Sequence, residues 1–134
     1  MPESVILIID DDLDDQDLLV EALNEIDDTL ICYKSDNGQE GIKSLQSNLI
    51  PRPHLIFVDI NMPKVDGRQF LEQIKKDAIL KDIPVVIYST THDEVEHKKL
   101  IKSGAAFFFK KPSNFNDLKK NLQELLETYL YKAS

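Results

Sequence analysis

Apolar runs of strand length recur five times along the chain, at residues 5–9, 30–33, 54–58, 83–88 and 106–109. Between and after them the apolar positions change period. Leu18, Leu19, Ala22, Leu23 and Ile26, and later Leu118, Leu122, Leu125, Leu126 and Tyr129, repeat at spacings of three and four, which predicts amphipathic helices. Turn and cap residues fall between the two patterns. Residues 36–38 and 51–53 bracket a second helix, Asp66 and Gly67 open a third, Gly104 closes a fourth, and Pro112, Ser113 and Asn114 open the last. Residues 5–9, 55–58 and 85–88 are almost wholly apolar, as parallel strands covered by helices on both faces should be. Strand and helix alternate five times, which predicts an α/β fold: a doubly wound five-stranded parallel sheet with five helices and right-handed crossovers. With no internal repeat or low-complexity tract, the expectation is one domain over 1–134 and no output domain.

Composition narrows the function. At 134 residues and 42% apolar, the chain can bury one core. A net charge of −8 argues against a grip on nucleic acid phosphates. No apolar run of about 18 residues is present to cross a membrane, and the opening Met-Pro-Glu-Ser lacks a signal-peptide pattern. A cytoplasmic protein without direct membrane contact is therefore expected. The single Cys32 removes internal disulfides and thiolate zinc sites from consideration.

In an open parallel sheet, ligands bind beyond the carboxyl ends of the strands where the strand order reverses. Asp10, Asp11 and Asp12 follow the first run; Asp59, Ile60 and Asn61 the third; Ser89, Thr90 and Thr91 the fourth; Lys110, Lys111 and Pro112 the fifth. The second ends only in Lys34 and Ser35. With the order 2-1-3-4-5, strands one and three are neighbours, and Asp10, Asp11 and Asp59 converge. Crowded carboxylates call for a counter-charge. Oxygen ligands without His or Cys suit Mg²⁺, which often shares its shell with a phosphoryl group. A lysine and a hydroxyl at the same edge could hold the other phosphoryl oxygens.

Four segments at four strand ends, Ile8-Ile9-Asp10-Asp11-Asp12, Val58-Asp59-Ile60-Asn61-Met62-Pro63 with Asp66-Gly67, Pro84-Val85-Val86-Ile87-Tyr88-Ser89, and Lys111-Pro112, resemble those of a two-component response-regulator receiver domain. The stand-alone chain is similar to chemotaxis-type regulators and to the small regulators paired with bacterial phytochromes. The resemblance implies a flavodoxin-like sheet and a phosphorylation-switched module. In it Asp59 accepts a phosphoryl group from a histidine kinase, Asp11 and Asp10 hold Mg²⁺ with Asp59 and the backbone carbonyl of Asn61, and Lys111 and Ser89 bind phosphoryl oxygens. Phe108 stands at the aromatic switch position, where the family more often has Tyr, so a rotamer change is open to it but a hydroxyl hydrogen bond is not. Ser89 replaces the commoner Thr, and Thr90 stands where a small residue such as Ala is usual. Implied partners are a sensor histidine kinase or phosphotransfer protein and a downstream protein reading the strand 4/helix 4/strand 5/helix 5 face; the target's identity and whether a homodimer forms stay open.

Plainer readings account for other residues. Six aspartates lie in the eight residues from Asp10 to Asp17, and Asp14, Asp15 and Asp17 are simplest as partners of a helix dipole on a solvated face. Asp10, Asp12, Asp14, Gln16 and Glu21 mimic a calcium loop, but Asp15 occupies its glycine position and a strand precedes it. Lys110 and Lys111 face opposite ways on a strand, so one of them at most enters the site. His54, His92 and His97 are scattered and read as structural or exposed, and Lys98, Lys99 and Lys102 form a basic face on the fourth helix, either solvent-exposed or part of a docking surface. Phe107 and Phe109 read as core or surface aromatics. Two other functions compete: a small Mg²⁺-dependent phosphatase or phosphotransferase of the haloacid-dehalogenase type, with Asp10 as nucleophile, and an unphosphorylated scaffold. The first leaves Asp59 without a role, and the second leaves the intact acidic, hydroxyl and lysine set unexplained.

Overall fold

Alternation along the strands divides the core into two layers. The computed structural model describes residues 4–60, 62, 65–90 and 93–131; Asn61, Pro63, Thr91 and His92 lie outside them. The chain runs β1 (Val5–Ile9), α1 (Leu13–Ile26), β2 (Ile31–Ser35), α2 (Gly38–Gln46), β3 (Leu55–Asp59), α3 (Gly67–Lys76), β4 (Val85–Ser89), α4 (Glu94–Lys102), β5 (Phe107–Lys110) and α5 (Phe115–Tyr129). All strand pairs are parallel, in the order β2-β1-β3-β4-β5. Leu7, Ile9, Ile56, Val58, Ile87 and Phe108 face one layer, where α2, α3 and α4 supply Ile42, Phe70, Ile74 and Leu100. Ile6, Ile8, Phe57, Val86, Tyr88 and Phe109 face the other, packed by Leu19 and Leu23 of α1 and Leu118, Leu122 and Leu126 of α5. Both faces of the sheet are thus covered, which is why its strands tolerate consecutive apolar residues.

The elements match the expected ones with displaced ends. Ser35, Asp59, Ser89 and Lys110, expected just beyond their strands, are their last residues. The ladder depends on backbone groups rather than side-chain polarity, so it continues past the apolar run. Beyond it, Lys111 N–H still donates to Ser89 O at 2.7 Å. β4 begins at Val85, after Pro84, which has no N–H to offer. Helix α2 stops at Gln46, short of residues 51–53. Asn48 takes the left-handed conformation (φ 56°), and Leu49 N–H bonds Ser44 O at 3.1 Å, closing a Schellman turn. Gly104 (φ 112°) does the same for α4, with Ala105 N–H on Leu100 O.

Candidate functional site

Two backbone devices aim the strand ends. Gln16 is buried on α1, and its side-chain amide donates to Asp10 O at 2.6 Å and to Ser35 O at 2.8 Å, tying together the exits of β1 and β2. A Cβ on Gly67 would come within 2.7 Å of Asp59 O and 2.8 Å of the Ile60 Cα. Only glycine lets the first turn of α3 press this closely on the exit of β3. Asp66 caps that helix in a reciprocal capping box with Gln69.

Asp10, Asp11 and Asp59 meet at the β1/β3 exits. One carboxylate oxygen from each lies within 4.8 Å of the others, with Asp10 fully buried, Asp59 partly and Asp11 exposed to solvent. Opposite them the Lys111 ammonium sits 3.0 Å from Asp10 Oδ2, 2.9 Å from Asp15 Oδ2 and 4.0 Å from Asp59 Oδ2. The Tyr88 ring covers its other side, 4.4 Å from ammonium to centroid. Burial opposes the charge on Lys111, but the Asp15 hydrogen bond and the charges of Asp10 and Asp59 outweigh it and push the ammonium's pKa well above its ordinary value. Burial likewise raises the Tyr88 hydroxyl far above the usual phenol range, so the ring beside the lysine stays neutral.

Four carboxylates here face one ammonium. That excess of negative charge on hard oxygen donors, one of them open to solvent, fits a hydrated divalent cation. Asp10, Asp11 and Asp59 are the residues that would hold it.

Ser89 is buried at the end of β4. Alternation puts it on the Ile87 and Phe108 face, opposite Tyr88. Phe108 is buried on that face, its ring stacked on His97 with centroids 5.2 Å apart. Lys110 is exposed and Lys111 enters the site. Asn61, expected to offer its carbonyl, lies outside the described residues, as does His92. His54 is structural, its Nδ1 accepting the Val5 N–H at 3.0 Å. Asp12 caps α1 and Asp17 pairs with Lys34 at 3.3 Å. Asp15 extends the sequence reading: it stands in the first turn of α1 as expected, but its carboxylate is also a member of the site, because that turn passes within reach of Lys111. Sequence reasoning also missed Tyr88 and Gln16. Gln16 left a signal, a polar residue three and seven positions before Leu19 and Leu23 on the buried face, whereas Tyr88 reads as one more apolar strand position.

Comparison with known proteins decides the family. The response regulator receiver domain family matches residues 6–123. The chain belongs to the response regulator receiver family. This receiver is 34% identical over 133 residues to response regulator Rcp1 of Synechocystis, covering 96% of the chain and 90% of Rcp1. It superposes on the phosphorylated cyanobacterial phytochrome response regulator RcpA with a TM-score of 0.90 at 29% identity, covering 99% of this chain and 98% of RcpA. The Mn²⁺-bound form of Rcp1 gives 0.84 at 32% identity, with 99% and 98% covered. The receiver is therefore a phosphoacceptor module of two-component signalling, of a family that binds divalent metal and interacts with histidine kinases or phosphotransfer proteins. No helix among the described residues is long and apolar enough to cross a membrane.

Proposed function

We propose that this receiver accepts a phosphoryl group on Asp59 in a Mg²⁺-dependent reaction that its own residues promote, and that it does so in the cytoplasm. The observation that carries the reading is the convergence of Asp10, Asp11 and Asp59 within 4.8 Å, with the Lys111 ammonium 4.0 Å from Asp59. An Asp59 oxygen bonds to phosphorus as the phosphorus–nitrogen bond of a kinase phosphohistidine breaks. The imidazole nitrogen keeps that electron pair and takes up a proton. Bound Mg²⁺ would supply charge neutralisation between the carboxylates and the phosphoryl oxygens. Lys111 supplies a second positive charge, and Ser89 a hydroxyl from the end of β4. It is a phosphoacceptor rather than an enzyme turning over a separate substrate.

The phosphoryl group adds a charge of roughly −1.5 to −2. Ser89 and Phe108 share one sheet face, so movement of the hydroxyl toward the new oxygens would reach the Phe108–His97 stack and through it α4. This supports the β4/α4/β5/α5 face as the surface a kinase-dependent partner reads. Intact-mass spectrometry after incubation with acetyl phosphate and Mg²⁺ tests the reading. One added phosphoryl mass on the wild type and none on Asp59→Asn is expected; undiminished labelling of the variant would move the nucleophile elsewhere.

A further inference from the structure

We infer that Asp15 is a positioning residue that holds the Lys111 ammonium on the α1 side of the site in the unphosphorylated protein, so that phosphoryl transfer to Asp59 proceeds against the loss of this contact. The inference rests on the phosphoacceptor reading above and adds a residue to it. Asp15 Oδ2 lies 2.9 Å from Lys111 Nζ, a charged hydrogen bond, whereas Asp59 Oδ2 lies at 4.0 Å, the outer limit of an ion pair.

The start of α1 explains why Asp15 is available. Asp15 stands three residues after the cap Asp12, where an acid or amide ordinarily reaches back to the cap's N–H and closes a capping box. Gln69 does so for Asp66 in α3. In α1 the Asp12 N–H is taken instead by Asp10 Oδ1 at 2.9 Å, and the Asp15 carboxylate turns to Lys111. Its own backbone is fixed, since Asp15 N–H donates to Asp12 Oδ1. With the Tyr88 ring against the ammonium, the lysine is held by two carboxylates and an aromatic face.

A phosphoryl group on Asp59 brings new anionic oxygens up to this ammonium, now 4.0 Å from Asp59 Oδ2, and as the ammonium turns its N–H groups to them its contact with Asp15 weakens. The Asp15 contact thus favours the unphosphorylated arrangement over the transition state and the product, in both of which the lysine serves the phosphoryl oxygens.

The test uses acetyl phosphate, whose phosphorus–oxygen bond breaks to release acetate as the Asp59–phosphorus bond forms. With saturating Mg²⁺, Asp15→Asn and Asp15→Ala should each raise the maximal phosphorylation rate about fivefold, the scale of a single ion pair that keeps some contact with solvent. The donor concentration for half-maximal rate and the hydrolysis rate of the acyl phosphate should not change, because the lysine has already left Asp15 in the product. Asp15→Glu should return the rate toward wild type, a rescue that a merely structural role would not produce. Equal or slower phosphorylation in both neutral variants would overturn the inference while leaving the phosphoacceptor reading intact. A wild type that takes no phosphoryl group at Asp59 would overturn both.

Discussion

Helices α5 and α4 flank the same edge of the sheet but are held to it differently. Helix α5 buries Leu118, Leu122, Leu125 and Leu126 against the sheet and α1. Helix α4 fully buries only Leu100. Polar and aromatic contacts also hold it: the His97–Phe108 stack, and an Arg68–Glu96 pair in which Nη2 lies 2.6 Å from Oε2 and Nε 3.1 Å from the same oxygen. Apolar burial scales with area and is costly to undo. One ion pair and one ring contact can be exchanged for a loss of about 1 kcal/mol. Chemistry is thus anchored on the α1/α5 side, through Asp10, Asp15, Tyr88 and Lys111. Within the surface proposed for a partner, α4 hangs on weaker ties than α5.

The contrast breaks most visibly at Leu122. Leu122→Ala should cost about 2–5 kcal/mol of unfolding free energy in a denaturant titration. Hydrogen exchange should show the α4 amides opening locally at well below that global free energy while the α5 amides open near it. Equal protection of the two helices would refute the difference.

Next in size is the metal. At one hundred times its dissociation constant Mg²⁺ should stabilise the wild type by about 2.7 kcal/mol, and Asp11→Ala should remove most of that gain. Identical unfolding curves with and without Mg²⁺ would count against a preformed metal site. Smaller still is Arg68→Ala, whose partly exposed pair with Glu96 limits the loss to below about 1 kcal/mol, with the effect concentrated in faster exchange of α4.

The smallest effect belongs to the far end of α1. The Asp27 carboxylate accepts from the Thr29 hydroxyl at 2.6 Å and the Tyr131 hydroxyl at 2.6 Å, and these bonds, Thr29 first, hold its pKa below the ordinary 3.8. A depressed carboxyl stabilises the fold above its unfolded pKa and loses that contribution as pH falls through the folded value. Tyr131→Phe should therefore unfold slightly more easily than wild type near neutral pH, and the gap should narrow as the pH falls below the ordinary carboxyl range. A gap that persists unchanged in acid would assign it to packing.

Much of this was legible in the sequence because parallel strands buried on both faces are apolar until they reach the ligand edge. Asp10, Asp59, Ser89 and Lys111 stand where the apolar runs end, and the β/α alternation then fixes which edges adjoin. Strand ends were less legible, since ladder hydrogen bonds carry on through Asp59 and Ser89 irrespective of side chain. Asp15 was illegible for a different reason. Whether an acid in a helix's first turn serves the helix or a neighbour depends on who occupies the cap's N–H, a fact of three dimensions. Tyr88 hid in the same way, because only the packed sheet brings its ring under Lys111.

The most direct measurement is the position of the acyl phosphate. Borohydride reduction of the phosphorylated protein converts the modified aspartate to homoserine, which peptide mass mapping then locates. Homoserine at position 59 alone, dependent on Mg²⁺, is the expected result; homoserine at position 10, or none at 59 in a fully labelled protein, would place the phosphoacceptor elsewhere.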